Sequence, residues 1–384
     1  MTPGARVAAA IDILDKIRAG TPAEQALTGW ARASRFAGSG DRAAVRDHVF
    51  DVLRMRRSLG DGDGRALMLQ LAQHKEWDIP ALFSGQGHAP RPPEPPEIVL
   101  LDLPLGAAAC DIPDWLWPHW QESLGADAVM VAHVLQTRAP VFLRVNLRRI
   151  TRGQAAEALA EEGIETKPHP QIATCLEVTA NPRRIKTAKA YAEGLVELQD
   201  AASQWAVGQL PLQDAGTVLD YCAGGGGKAL AIADACDAAV FAHDIAPARM
   251  RDLPARAGRA GVAVTPLAAE ALEDHGPFDL VLCDAPCSGS GTWRRTPDAK
   301  WRLTPARLDA FLQSQREVLE QASRYVRPGG ILAYATCSVL ECENSKQVQS
   351  FVERQSGWTI AADASRLPDS SGDGFFFAVM KYNQ

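Results

Sequence analysis

The chain has 384 residues, with 40 Lys and Arg against 46 Asp and Glu, a formal charge of -6. Apolar residues make up 46% and charged residues 22%, which excludes a disordered chain and leads us to expect two or three globular domains. No stretch approaches the roughly 20 apolar residues of a membrane helix, and Met1 to Arg6 carry no apolar run, so neither a membrane span nor a secretory signal is expected. The eight cysteines are irregularly spaced, which favours a reducing compartment, the cytoplasm, over a disulfide framework.

Residues 1–84 read as a helical domain. Val7, Ile11, Leu14 and Ile17 recur at helical spacing, and Gly20 follows as a stop. Thr21-Pro22-Ala23-Glu24 has the form of a capping box with Pro at the first helical position. Asp41 is placed to cap a third helix that turns Val45, Val49, Val52 and Leu53 inward. The same helix carries Arg42, Arg46, Arg54, Arg56 and Arg57, a face that is either solvated or in contact with phosphate. Residues 85–97 hold Pro90, Pro92, Pro93, Pro95 and Pro96 and read as a linker. A helical connector over 98–139 contains Trp115, Trp117 and Trp120.

Residues 140–200 form a small α+β unit, with strands expected at Phe142–Asn146 and Cys175–Val178 and a helix at Gln154–Glu162. Two basic clusters lie in it: Arg144, Arg148, Arg149 and Arg152, then Arg183, Arg184, Lys186 and Lys189. From 201 to 384 strands alternate with helices. Strands are expected at Thr217–Tyr221, Ala239–His243, Val262–Leu267, Phe278–Cys283 and Ile331–Ala335, and a long helix from Thr304-Pro305. That rhythm predicts a doubly wound parallel α/β sheet, whose ligands sit beyond the carboxyl ends of the strands.

Each unusual cluster falls at such an end. Asp220-Tyr221-Cys222-Ala223-Gly224-Gly225-Gly226-Gly227-Lys228 is a glycine-rich turn into a helix. It lets the backbone approach a ligand and offers free N–H groups to a carboxylate or phosphate. No Ser or Thr follows Lys228, so it is not a phosphate loop. It suits either a dinucleotide or the amino-acid end of S-adenosylmethionine. Asp244, about twenty residues on, is placed to accept from both ribose hydroxyls of either ligand. The run Asp284-Ala285-Pro286-Cys287-Ser288-Gly289-Ser290-Gly291-Thr292-Trp293-Arg294-Arg295, with Pro297-Asp298 and Lys300-Trp301, follows a strand. So does Thr336-Cys337-Ser338, with Glu343-Asn344 after it. Two thiols at the edge of one crevice fit nucleophilic catalysis with a separate proton acceptor. Zinc is the rival, but no pair among Cys283, Cys287, Cys337 and Cys342 has CxxC spacing, and no metal is expected. Cys110, Cys236 and Cys283 read as core cysteines.

Together these clusters resemble the RNA (cytosine-5)-methyltransferases of the NOL1/NOP2/Sun family, in particular the bacterial branch that acts on small-subunit ribosomal RNA. The similarity covers about 140–384. Its most specific pieces are the Asp284–Trp301 run, Tyr334-Ala335-Thr336-Cys337-Ser338-Val339-Leu340 and Asp373-Gly374-Phe375-Phe376-Phe377-Ala378. The resemblance implies a Rossmann-like methyltransferase domain over 201–384, an RRM-like RNA-binding unit before it, and an N-terminal RNA-binding domain resembling the antitermination factor NusB. It implies S-adenosylmethionine as cofactor, held by Cys222, Ala223, Gly224, Gly225, Gly226, Gly227, Lys228, Asp244, Arg249, Asp284 and Pro286. It implies Cys337 as the thiolate that adds to C6, Cys287 as the residue that helps release the adduct, and Asp284 at the N3/N4 edge of the base. Lys228 and the helix N-terminus are the expected sources of positive potential for the thiolate.

Two positions depart from the family pattern. Gly224-Gly225 stands where Ala-Pro is usual, and Leu267-Ala268-Ala269-Glu270 lacks the usual Asp after the third strand. The expected partner is RNA, ribosomal RNA first, met by a monomer away from any membrane, with the target cytosine single-stranded or flipped. Arg294, Arg295, Lys300 and Arg302 add a third basic cluster for it. The competing readings are a non-catalytic RNA-binding assembly factor, an exocyclic-amino methyltransferase, which Asp284-Ala285-Pro286-Cys287 fits poorly, and a nicotinamide dehydrogenase, which leaves the cysteines without a role.

Overall fold

The computed structural model describes residues 1–60, 62–97 and 105–383. Residues 98–104, the start of the expected connector, lie outside them. The chain divides into two compact units: Met1–Arg138 with Trp293–Leu303, and Ala139–Thr292 with Thr304–Gln384.

The first unit is helical. Helices Pro3–Arg18, Ala23–Ala33, Ser39–Arg54 and Gly64–His74 bury Val7, Ile13, Leu14, Val45, Val49, Met68 and Leu71 in one core. The amide of Ala5 donates to the Thr2 hydroxyl and that of Ala66 to Asp63, so these two caps satisfy free helix-end N–H groups. The capping box expected at Thr21 does not form. The helix begins at Ala23, whose N–H donates to the Asp298 carboxylate at 3.2 Å, and Glu24 pairs with Arg46 instead. Asp41 lies inside its helix and accepts from the Met1 ammonium, Arg6 and the Gly38 amide.

The arginine face has partners inside the same unit. Arg46 lies over the Phe50 ring, Arg56 over Trp301, and Arg57 pairs with Asp114. Arg54 is buried, paired with Asp51 and donating to the Arg294 carbonyl at 2.7 Å.

Segment Trp293–Leu303, expected within the methyltransferase domain, packs among these helices. Trp293 stacks on Trp120 with centroids 5.8 Å apart, and the Trp301 indole donates to the Leu53 carbonyl at 2.6 Å. Trp293, Arg294 and Lys300 are each only 1% exposed. Arg294 and Lys300 are therefore structural here, and the basic cluster after Cys287 is not an exposed patch as a whole. A chain beginning near residue 100 would strip most of this packing from a segment bonded directly to Thr292.

Burial lowers the Lys300 pKa from its ordinary 10.5 to about 8. Between those values the unfolded chain holds more protons than the folded one, so stability rises with pH across the window. Lys300→Met removes this dependence. The stability difference, wild type minus Lys300→Met, should grow by about 2–3 kcal/mol between pH 8 and 10.5, measured by denaturant unfolding.

The second unit holds two sheets. The smaller has strands β1 (Val141–Val145), β2 (Thr166–Pro168), β3 (Cys175–Val178) and β4 (Val196–Leu198), all antiparallel, in the order β2-β3-β1-β4. Leu143, Val145, Leu176 and Val178 pack toward the helix Arg152–Glu161. The alternate residues Phe142 and Cys175 pack with Ala201 and Trp205 of the helix Ala201–Gly208. Both faces are covered, so the period-2 pattern is apolar on each side.

The first basic cluster of this unit joins elements together. Arg144 pairs with Asp234 at 2.7 Å with both side chains buried, Arg148 pairs with Asp237, Arg149 donates to backbone carbonyls of Glu193 and Arg259, and Arg152 to those of His169 and Ile172. Arg183, Arg184, Lys186 and Lys189 are exposed, on or just after the turn Pro182–Thr187.

The larger sheet has seven strands, β5 (Thr217–Asp220), β6 (Ala239–Ala242), β7 (Thr265–Pro266), β8 (Phe278–Asp284), β9 (Val326–Thr336), β10 (Trp358–Arg366) and β11 (Phe375–Tyr382), in the order β10-β11-β9-β8-β5-β6-β7. Strands β5 to β9 pair in parallel, whereas β11 is antiparallel to both neighbours. The sheet is thus mixed and not purely parallel. β7 is shorter than the expected Val262–Leu267. Gly261 closes the preceding helix in a left-handed conformation, and the Val262 amide donates back to Ala257, so the chain is still ending a helix where a strand was expected.

Candidate active site

Strands β5, β8 and β9 end on one edge of the sheet. After β5 the chain turns through Tyr221–Gly226 into the helix Gly227–Ala235. Gly224 has φ +56° and Gly226 φ +80°, and a Cβ at Gly226 would lie 2.3 Å from Leu253 Cδ1. The left-handed bend explains the glycine at 224; Gly225 needs no such torsion. The Ala223 amide donates to the His243 carbonyl at 2.8 Å, tying the turn to the end of β6. Cys222 is half-buried, and burial pushes its thiol well up, so it packs as a neutral group.

Asp244 follows β6 and is 1% exposed. Its carboxylate accepts from Gly224 N at 2.8 Å, Arg249 at 2.9 Å and Ala246 N at 2.9 Å. A carboxylate has about four acceptor sites, so roughly one is open; of the three donors, the Arg249 side chain is 62% exposed. Asp244 therefore shapes the glycine turn as well as facing the crevice. Ile245 beside it is 94% exposed, an apolar surface that our reading of the sequence did not single out. Glu270 is exposed in the turn Ala269–Ala271.

Asp220, at the end of β5, is 1% exposed, and neither carboxyl oxygen has a hydrogen-bond partner of good geometry among the described residues. Burial, reinforced by Asp284, raises its pKa to about 7. An orphaned buried acid at the root of a glycine turn fits a ligand that brings an ammonium group, and the turn's backbone amides fit that ligand's carboxylate. The residues present thus fit the amino-acid end of S-adenosylmethionine.

Lys228 and Asp284 pair at 2.6 Å, with the Lys228 ammonium 5.0 Å from the centre of the Phe375 ring. Burial disfavours the charge on Lys228, but Asp284 outweighs it and the lysine pKa is raised. Pro286 is exposed, and its carbonyl accepts from Gln315 at 3.0 Å.

The two cysteines meet. Cys287 Sγ and Cys337 Sγ are 3.5 Å apart, and Thr292 Oγ1 lies 4.0 Å from Cys337 Sγ. They are not equivalent. The contact with Cys287, aided by Lys228, lowers the Cys337 pKa against burial and the Asp284 carboxylate, while the contact with Cys337, then burial, raises that of Cys287. Of the coupled pair, Cys337 is thus the more acidic sulfur. Cys283 is buried inside β8 as expected.

A polar cluster behind the sulfurs was not assigned a role from the sequence. Glu343 is fully buried and accepts from Ser288 N, Ser288 Oγ, Ser338 Oγ and Gln315 Nε2. Ser290 Oγ contacts Ser338 Oγ at 2.8 Å, and Asn344 joins Thr336 Oγ1 to the Ser338 carbonyl. The only sequence signal was the serine flanking each cysteine and the Glu343-Asn344 pair downstream.

This sheet order, with a glycine turn after β5, is the fold of an S-adenosylmethionine-dependent methyltransferase. Residues 207–381 match the family model described as 16S rRNA methyltransferase RsmB/F, and residues 112–185 match the ferredoxin-like domain of RsmF/B-like methyltransferases. The chain is 33% identical over 283 residues to the ribosomal RNA small subunit methyltransferase B of Vibrio cholerae, covering 70% of this chain and 64% of that protein. It is 31% identical over 287 residues to the protein of that name from Serratia proteamaculans, covering 70% and 66%. The matched regions thus span just under two thirds of these relatives' length. Among solved structures, PH0851 superposes with a TM-score of 0.74 at 22% identity over 99% of both chains. A methyltransferase homologue from Pyrococcus horikoshii does so with 0.63 at 23% identity, over 72% of this chain and 97% of its own. The chain belongs to the RsmB/F methyltransferase family.

Asp244→Ala removes the open acceptor and the brace on Gly224 together. It should weaken S-adenosylmethionine binding by about 1.5–3 kcal/mol. Unchanged affinity by calorimetry would take Asp244 out of the cofactor site.

Proposed function

We propose that the chain transfers a methyl group from S-adenosylmethionine to C5 of a cytosine in RNA, with small-subunit ribosomal RNA as the substrate that its named relatives point to. The observation that carries this reading is the pair of sulfurs in contact at 3.5 Å beside Asp284, Cys337 being the more acidic of the two. An exocyclic nitrogen needs no covalent activation, so an amino-methyltransferase has no use for such a pair. C5 of cytosine needs it, because a sulfur added at C6 turns C5 into an enamine-like carbon.

The Cys337 thiolate forms the S–C6 bond while N3 takes a proton handed on from the Lys228 ammonium through Asp284, which holds that edge of the base; the proton returns by the same route when the adduct breaks. The cofactor supplies an electrophilic methyl group on a sulfonium. C5 then carries both a methyl group and its original proton. Cys287 was held protonated chiefly by facing the Cys337 sulfur. Once Cys337 is spent in the C–S bond, that restraint is gone, and Cys287 can give its proton to solvent and then take the one at C5. The C5–H pair restores the double bond, the C6–S bond breaks, and Cys337 returns as thiolate. Ile245 offers its exposed apolar surface to the adenine, where the family's usual Asp is missing.

Cys337→Ala should abolish turnover and form no covalent complex. Cys287→Ala should methylate and then stall, giving an RNA–protein adduct that survives denaturing electrophoresis. An adduct with Cys337→Ala but not with Cys287→Ala would reverse the roles, and an adduct with neither would end the two-thiol mechanism. Bisulfite sequencing of total RNA from cells with and without the protein would identify the cytosine.

RNA binding is read from the exposed basic residues on and after the turn Pro182–Thr187. Replacing Arg184 and Lys186 together by Ala should weaken RNA binding and flatten the slope of log affinity against log salt by roughly 1.4, two phosphate contacts on a single strand. An unchanged slope would place the RNA elsewhere.

A further inference from the structure

Two loops of separate origin carry the sulfurs: the one after β8 with Cys287, and the one after β9 with Cys337. Sulfur contact at 3.5 Å requires that these loops keep a fixed register. The backbone link is a pair of bonds, Gly291 N to the Cys337 carbonyl and Ala285 N to the Ala335 carbonyl, each 2.9 Å. The side-chain link passes through one carboxylate. Glu343 Oε1 accepts from Ser288 N at 2.7 Å and Gln315 Nε2 at 3.1 Å, and Oε2 accepts from Ser288 Oγ and Ser338 Oγ, both at 2.5 Å. Ser288 adjoins Cys287, and Ser338 adjoins Cys337.

Four donors fill the roughly four acceptor sites of a carboxylate. No cation pairs with Glu343 among the described residues. A fully buried carboxylate without a counter-ion is costly even when hydrogen-bonded, and a neutral side chain of the same shape would link the loops at lower cost. What the charge adds is asymmetry.

We propose that Glu343 is a positioning residue, which grips both cysteine loops through Ser288 and Ser338 and makes Cys337, not Cys287, the sulfur that carries the negative charge. The inference rests on the reading of Cys337 as nucleophile. Its physical basis is that Glu343 holds Ser288 by two bonds and Ser338 by one, so its charge is tied more closely to the Cys287 loop and opposes ionisation there, while Cys337 Sγ faces the Thr292 hydroxyl. Without the charge, the buried pair loses part of its reason to place the proton on Cys287.

The test needs neither RNA nor cofactor. The full chain is treated with limiting iodoacetamide at pH 7 to 9, and peptide mass spectrometry gives the ratio of alkylation at Cys337 to that at Cys287. Wild type should favour Cys337. Glu343→Gln should lower the ratio by on the order of tenfold, the effect of about one pKa unit between the two thiols. A merely structural role would slow or speed both cysteines alike and leave the ratio where it was, which would overturn the proposal. If Glu343→Gln does not fold, as judged by circular dichroism, Ser288→Ala and Ser338→Ala decide as a pair. Ser288→Ala loosens the carboxylate from the Cys287 loop, so the ratio should fall several-fold in Ser288→Ala and less in Ser338→Ala, and a ratio unchanged in Ser288→Ala overturns the proposal as well. Failure of the functional reading looks different: the wild-type ratio stays high and falls with Glu343→Gln, yet no adduct forms with RNA in the Cys287→Ala chain.

Discussion

The site depends on the parallel pairing of β8 with β9. In that register Asp284 stands opposite Ala335, so both strands reach the carboxyl edge of the sheet together. Cys287 lies three residues past the last residue of β8, and Cys337 directly after the last residue of β9. A shift of one residue would turn each strand's inward set outward and separate the sulfurs. The register is secured on the far side as well, because β11 pairs antiparallel along β9 from Ile331 to Thr336. The Phe375–Ala378 run on β11 therefore belongs to the site: it backs β9 and puts the Phe375 ring under the Lys228 ammonium.

How much of this was legible follows from the range of the interactions involved. The strand Cys175–Val178 was read with the bounds it has, and β5, β6, β8 and the helix Pro305–Ala322 to within a residue or two, because each carries its own apolar pattern and is bounded by Gly, Pro or a capping residue. The meeting of Cys287 and Cys337 at one sheet edge was legible too, since strand ends are local. β10 was not. Its nine residues are almost all exposed or half-buried along the edge of the sheet, so no alternation marks it, and its pairing with β11 is non-local. The Glu343 hub was invisible for a related reason. Its partners come from positions 288, 315 and 338, and only the fold says that they converge.

Charge clusters were the least informative signal. Arg144, Arg148, Arg149 and Arg152 look like a basic patch in sequence, yet they meet carboxylates and backbone carbonyls inside their own unit. A guanidinium has five donors in a fixed fork, which suits it to gathering carbonyls at the junction of elements as well as to gripping phosphates. Spacing along the chain does not separate the two uses; burial does. Arg144 is 4% and Arg294 1% exposed, and neither surface is open to phosphate.

The same reasoning applies to the acids of the cofactor site. Asp220, Asp244 and Asp284 gather round one glycine turn, and Lys228 neutralises only part of their charge. Arg249 meets Asp244 from the solvent side. Burial, with Asp284 close by, raises the Asp220 pKa to about 7, so the turn is short of positive charge once Asp220 ionises. A ligand bearing both a sulfonium and an ammonium supplies what is missing and favours the ionised form of Asp220.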